Sequence, residues 1–117
     1  MPDTHSWKRK GLFGVNIYTL TTSQTTVGGS VSSTTLNVRG GLLRQFLIRA
    51  NTSTTIFRAD ITEQNGIAVL NYGYHTGEIN DTGASGALPL PMSGYYNLNI
   101  TNASPNDTFN IRLSLQE

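Results

Sequence analysis

The chain has 117 residues and no cysteine, and its eight lysine and arginine residues are nearly balanced by seven aspartate and glutamate residues. The length predicts one domain with its own core, the missing thiols exclude disulfides and thiolate metal sites, and a net charge of +1 gives no basic field for nucleic acid. Charged residues make up only 13% of the chain, about half the usual share, and threonine, serine and asparagine take their place.

Residues 1–12 are predicted to form a flexible basic arm, and residues 13–117 the domain. Trp7 is followed by Lys8, Arg9 and Lys10, the only charge cluster in the sequence. An aromatic side chain beside three cations is typical of an anchor on an acidic partner, and a tail without function is the alternative. The apolar stretch after the arm is too broken for a signal peptide, and no run is long enough to span a membrane. We therefore expect a leaderless chain with no membrane partner.

Alternation of apolar and polar residues predicts strands throughout, and no window has a helical period. The first two strands are predicted over 13–21 and 31–38, around a loop that contains two glycines, and the single "RGG" at 39–41 is predicted to be a turn. The next strand, 42–50, is apolar on both faces, so it is either central or meets another chain. Leu43 and Leu47 are the predicted contacts between copies.

Further strands are predicted over 55–62 and 67–72, joined by a tight turn at "EQNG". Residues 73–94 are rich in glycine and proline and predict a long loop, with a short strand near 78–80 as an alternative. Tyr74, His75 and Leu88 are its predicted partner-binding residues.

The segment "GYYNLNITNASPNDTFNIRLSL", residues 94–115, alternates on both sides of a six-residue break. The pattern predicts an antiparallel hairpin with Phe109 and Ile111 facing inward and Asn110 and Arg112 facing outward. Seven or eight short strands in all predict an all-β fold: a single-domain antiparallel β-sandwich, jelly-roll-like, with a closed barrel as the competing arrangement.

The sequence offers little catalytic chemistry. His75, Glu78 and Asp81 could in principle hold a metal ion, but their spacing matches no established metal motif, and a solvated loop is the alternative. Asp60 and Glu63 could form a carboxylate pair, yet Arg58 lies nearby for a surface ion pair. We therefore predict no catalytic residues, no metal and no cofactor, and a protein that is not an enzyme.

Residues 11–117, with the basic arm, resemble the small β-sandwich virion structural proteins of tailed bacteriophages, of the capsid decoration or cement type. The resemblance lies in a leaderless, cysteine-free, Thr/Ser/Asn-rich β pattern. It implies synthesis in the host cytoplasm, a location in the virion, a homotrimer, and the major capsid protein or another virion protein as partner. On such a shell, the contacts are predicted to come from the arm, with its aromatic anchor and three cations, and from the long glycine-rich loop 73–94, rather than from the faces of the sheet.

Two alternatives stay open at this point. One is a tail, fibre or adaptor component of a phage particle. The other is a carbohydrate-binding module, because "GYYNLNIT" and "FNIRLSL" are similar to the closing strands of sugar-binding jelly rolls. Tyr95 is the one tyrosine of its pair with outward parity, since Tyr96 has the parity of the core.

Overall fold

A computed structural model describes residues 8–12, 15–83 and 86–116 of the chain. All regular structure in these residues is antiparallel β-strand, as the alternation predicts. The strands are β1 (Lys8–Leu12), β2 (Val15–Thr26), β3 (Val31–Ala50), β4 (Ile56–Glu63), β5 (Ala68–Thr76), β6 (Glu78–Asp81), β7 (Leu90–Asn102) and β8 (Asp107–Gln116).

The strands form one continuously hydrogen-bonded sheet. The sheet folds over into two layers, because the long strand β3 belongs to both. The first layer has the order β1-β2-β8-β3-β6, in which β3 contributes residues 42–50. The second layer has the order β3-β7-β4-β5, in which β3 contributes residues 31–43. Without β1, each layer has four strand segments. The predicted jelly-roll-like sandwich is therefore confirmed.

The bend of β3 lies at Gly40 and Gly41. Their φ angles of 135° and 147° are in the region that favours glycine, and the pairing with β7 shifts register between Val38 and Gly41. The segment predicted as a turn between two strands is thus a bulge within one strand. It lets β3 leave one layer and enter the other.

The predicted hairpin of the last two strands is wrong. The segments are strands and their buried faces are as predicted, but β7 pairs with β3 and β4, whereas β8 pairs with β2 and β3. The break at 103–106 therefore connects the two layers. Alternation with a period of two shows which side chains are buried. It does not show which strands pair, because two strands with the same pattern bury the same side chains whether they are neighbours in one layer or lie in opposite layers.

The tight turn between β4 and β5 is confirmed, since Gly66 donates its amide to Glu63 and has a φ of 89°. The long loop predicted over 73–94 is wrong, whereas the short strand near 78–80, given as the alternative, is confirmed. β5 continues to Thr76, β6 occupies Glu78–Asp81, and β7 already begins at Leu90. Glycine and proline lower strand propensity. These segments nevertheless form strands, because β5, β6 and β7 make backbone hydrogen bonds with β3 or β4.

The start of the chain also differs from the prediction. β1 pairs with β2 from Lys8↔Thr19 to Leu12↔Val15, so five residues of the segment predicted as an arm form an edge strand. β2 is longer than predicted and extends to Thr26, because its threonine-rich end pairs with β8 as far as Asp107. Basic and threonine-rich sequences lack apolar alternation and therefore gave no strand signal.

The core lies between the layers. Phe57 of the second layer packs on Phe109 of the first with ring centroids 4.7 Å apart, and Phe46 packs on Tyr72 at 4.8 Å. These side-chain contacts connect the two layers, because in the described residues β4 and β5 pair with no strand of the first layer. The fully buried large side chains include Phe46, Phe57, Phe109, Leu20, Leu36, Leu43, Ile48, Ile61, Ile79, Leu98, Ile100 and Ile111.

Candidate functional site

The exposed cations of the described residues lie mostly on the outer face of the first layer. β3 contributes Arg44 and Arg49 and β8 contributes Arg112, against one exposed carboxylate, Glu78. β1, which carries three basic residues, pairs at the edge of the same layer. The second layer carries Arg58 on β4, balanced by acidic residues on the same strand. We call the set Arg44, Leu47, Arg49, Asn110 and Arg112 the cationic face.

The three arginines differ in how they are engaged. Arg49 donates from Nε and Nη2 to Glu78 Oε1 at 3.0 and 2.7 Å, and Arg44 donates from Nε to Gln116 Oε1 at 2.7 Å. Arg112 is exposed, and its guanidinium has neither a hydrogen bond nor an ion pair within the described part of the chain. It is therefore free to meet an acidic group of a partner.

A shallow hollow of about 250 Å³ lies in the cationic face. Its walls include Thr21 and Asn110, and Leu47 contributes an apolar surface between Arg49 and Arg112. An apolar side chain between cations suits an acidic partner that also offers an apolar contact. Leu47 is poorly placed to contact the cationic face of a second copy, because the arginines of the two copies would repel each other.

Two predicted contact residues are corrected by their burial. Leu43 has no exposed surface and Leu88 is 4% exposed, and both belong to the core. A side chain already covered by its own chain has nothing to offer a partner. Leu47 is half-buried and is the remaining member of the predicted contact between copies.

The other predicted contact residues lie on the opposite layer or outside the described residues. Tyr74 and His75 are exposed on β5, at the edge of the second layer, so they do not meet the cationic face. Trp7 lies outside the described residues, as do the side chains of Lys8, Arg9 and Lys10.

Asp81 and Glu78, two of the residues considered as metal ligands in the sequence, both bond to side chains of the same chain. Asp81 is 5% exposed and accepts a hydrogen bond from the Tyr72 hydroxyl at 2.6 Å. Burial, that hydrogen bond and the negative charge of Asp81 raise the pKa of the Tyr72 phenol. In residues 8–12, 15–83 and 86–116, no three His, Cys, Asp or Glu side chains group together as metal ligands. No helix of the described residues is long and apolar enough to cross a membrane.

Comparison with known proteins adds no assignment, since no family model and no curated protein matches the sequence. The cationic face was missed in the sequence because its members come from two strands far apart in the chain. The outward parity of Arg112 was visible, but its proximity to Arg49 requires the pairing of β8 with β3, in which Arg112 lies opposite Leu47.

Proposed function

We propose that the chain is a non-enzymatic structural protein of a bacteriophage virion, a decoration protein that binds and stabilises the head through the cationic face. The observation that carries the proposal is the concentration of exposed arginines on one outer face of the sandwich, with Arg112 unpaired within the described residues. A one-sided charge gives a small domain a defined orientation on a larger acidic surface.

The remaining surface also supports this role. Outward positions of β2, β7 and β8 are mainly threonine, serine and asparagine. Neighbouring copies on a particle then avoid the repulsion that a dense charge of one sign would cause. The partner in this proposal is the major capsid protein or another virion protein, and no cofactor is involved.

Charge reversal tests the contact with the shell. We expect Arg112→Glu to weaken co-sedimentation of the protein with phage heads assembled without it, because an acidic partner would then face an added negative charge. Binding by the unchanged protein should weaken as salt is raised, since surface charges are screened. Arg58→Glu is the matched control, because it makes the same change on the opposite layer and should leave sedimentation unaltered. Equal loss in the two variants, or unchanged binding by Arg112→Glu, would contradict the assignment of the face.

We also propose a homotrimer, with a contact that differs from the one predicted in the sequence. Val27, Val31 and Ile56 are 59, 58 and 44% exposed and lie around the connection between β7 and β8, where Gly29 and Ile56 bond to residues 102 and 103. Exposed apolar residues of this kind are typical of contacts between copies.

Analytical ultracentrifugation at high micromolar concentration should therefore give a trimer, and Ile56→Glu should dissociate it. Ile67→Glu is the control, because Ile67 is also exposed but lies at the turn before β5, at the opposite end of β4. A monomer for the unchanged chain would contradict the trimer, and a trimeric Ile56→Glu variant would contradict this contact.

A further inference from the structure

The outer face of the second layer carries a hydrogen-bonded polar row that packing does not require. Ser33 of β3, Asn99 of β7, Asp60 of β4 and Asn71 of β5 lie side by side in the strand register. With Tyr74 and Tyr95 they form what we call the polar face. We propose that the polar face binds a neutral oligosaccharide. The proposal does not depend on a role in a phage head.

The centre of the polar face is ordered before any ligand arrives. Ser33 Oγ donates to Asn99 Oδ1 at 2.5 Å, and Asn99 Nδ2 donates to Asp60 Oδ1 at 2.6 Å and to Thr62 Oγ1 at 3.2 Å. Fixed side chains lose little freedom on binding. Asp60 Oδ2 accepts no hydrogen bond in the described part of the chain, so it is an open acceptor for a sugar hydroxyl.

The residue types themselves point to a function. Asparagine and aspartate are depleted in strands, yet Asp60, Asn71, Asn97 and Asn99 occupy outward positions in three neighbouring strands of this layer. Threonine would give the same solubility with better strand propensity. Residues that conflict with their local structure concentrate at functional sites.

Two exposed aromatic rings flank the polar row. Tyr95 is 59% and Tyr74 is 55% exposed, and the Arg58 guanidinium carbon lies 5.6 Å from the centroid of the Tyr74 ring, a distance that favours a fixed ring. A tyrosine offers a sugar both a flat apolar surface and a hydroxyl. Between Tyr95 and Thr101, which pairs with Arg58, β7 rises by about 20 Å. That length suits several linked sugars better than one.

The same features disfavour a protein or a charged ligand. The centre of a protein interface is apolar and depleted of charge, whereas the centre of the polar face consists of amide, hydroxyl and carboxylate groups. Arg58 and Asp60 lie on the same face with opposite charges, so neither anions nor cations gain a net attraction. An uncharged ligand rich in hydroxyl groups fits this chemistry.

The test is a nuclear magnetic resonance titration of the full chain with a panel of neutral tri- and tetrasaccharides of glucose, galactose, mannose and N-acetylglucosamine. At least one of them should shift amide signals of β4 and β7 around Asp60 and Asn99. Asn99→Ala should weaken that binding by about tenfold, a cost similar to one good hydrogen bond, because it releases the Asp60 carboxylate that Asn99 holds in place. Asn110→Ala is the matched control, since it removes an exposed asparagine from the opposite layer and should bind as the unchanged chain does.

Replacements of the rings separate stacking from folding. Tyr95→Phe keeps the ring and should retain binding, whereas Tyr95→Ala and Tyr74→Ala should lose it with unchanged melting temperatures, because both side chains are exposed. If Asn99→Ala fails to fold, the tyrosine variants alone test whether the polar face binds the saccharide. No shift with any saccharide at millimolar concentration, or shifts confined to the first layer, would overturn the proposal. Arg112→Glu should bind sugar normally, so a failed capsid test leaves this result standing.

Discussion

Replacing Phe109 by alanine should lower the free energy of unfolding by about 3–5 kcal/mol. Phe109 has no exposed surface, and its ring packs on Phe57 of the opposite layer. The truncation therefore opens a cavity at the contact between the two layers. Chemical denaturation, followed by circular dichroism, measures the change.

The adjacent residue provides the control for this prediction. Asn110 is exposed on the outer face of β8, so Asn110→Ala should change the unfolding free energy by less than about 0.5 kcal/mol. Similar losses at the two positions would contradict the burial assigned to β8. If Phe109→Ala lowers the free energy of unfolding by much less than expected, that result would contradict the packing of Phe109 between the layers.

Asp107→Ala should lower the free energy of unfolding by about 2–3 kcal/mol at neutral pH, because it leaves several donors without their acceptor. The Asp107 carboxylate accepts hydrogen bonds from Thr55 Oγ1 at 2.6 Å, the Thr108 amide at 2.7 Å and the Thr52 amide at 3.1 Å. These bonds fasten the connection between β3 and β4 to the start of β8. Denaturation of the variant at pH 7 measures the loss.

The same carboxylate should make stability depend on acid. Burial by itself would raise the pKa of Asp107, but the hydrogen bonds from Thr55 and from the amides of Thr108 and Thr52 outweigh it and hold the pKa below its ordinary value of 3.8. A folded-state pKa below the unfolded value means that the ionised form stabilises the fold. The contribution is complete well above pH 3.8 and is lost as the pH falls below that value towards the folded pKa.

Comparing the unchanged chain with Asp107→Ala shows how much of the pH dependence of stability comes from the Asp107 carboxylate. The unchanged chain should lose more stability between neutral and acidic pH than Asp107→Ala, so the two curves should converge in acid. Glu78→Gln is the control, because Glu78 forms an exposed ion pair with Arg49 and such pairs contribute little, about 0–1 kcal/mol. Parallel curves for the unchanged chain and Asp107→Ala would contradict the assigned role.

The sequence by itself determined the strands that have apolar alternation and which of their side chains are buried. Phe109 and Ile111 are buried as their alternation predicts, because the period of two along a strand is a local property that the chain carries wherever the strand lies. The tight turn at Gly66 was likewise predictable, since turn chemistry depends on neighbouring residues.

Only the tertiary structure decided which strands are neighbours, because pairing depends on contacts between distant parts of the chain. Alternation in β7 and β8 is compatible with a hairpin, yet the two strands lie in different layers. Both proposed binding faces depend on this. Arg112 comes near Arg49 through the pairing of β8 with β3, and Asp60 meets Asn99 through the pairing of β4 with β7. The net charge of +1 therefore does not show that the two outer faces differ in chemistry, because only the fold determines which charged residues lie on each face.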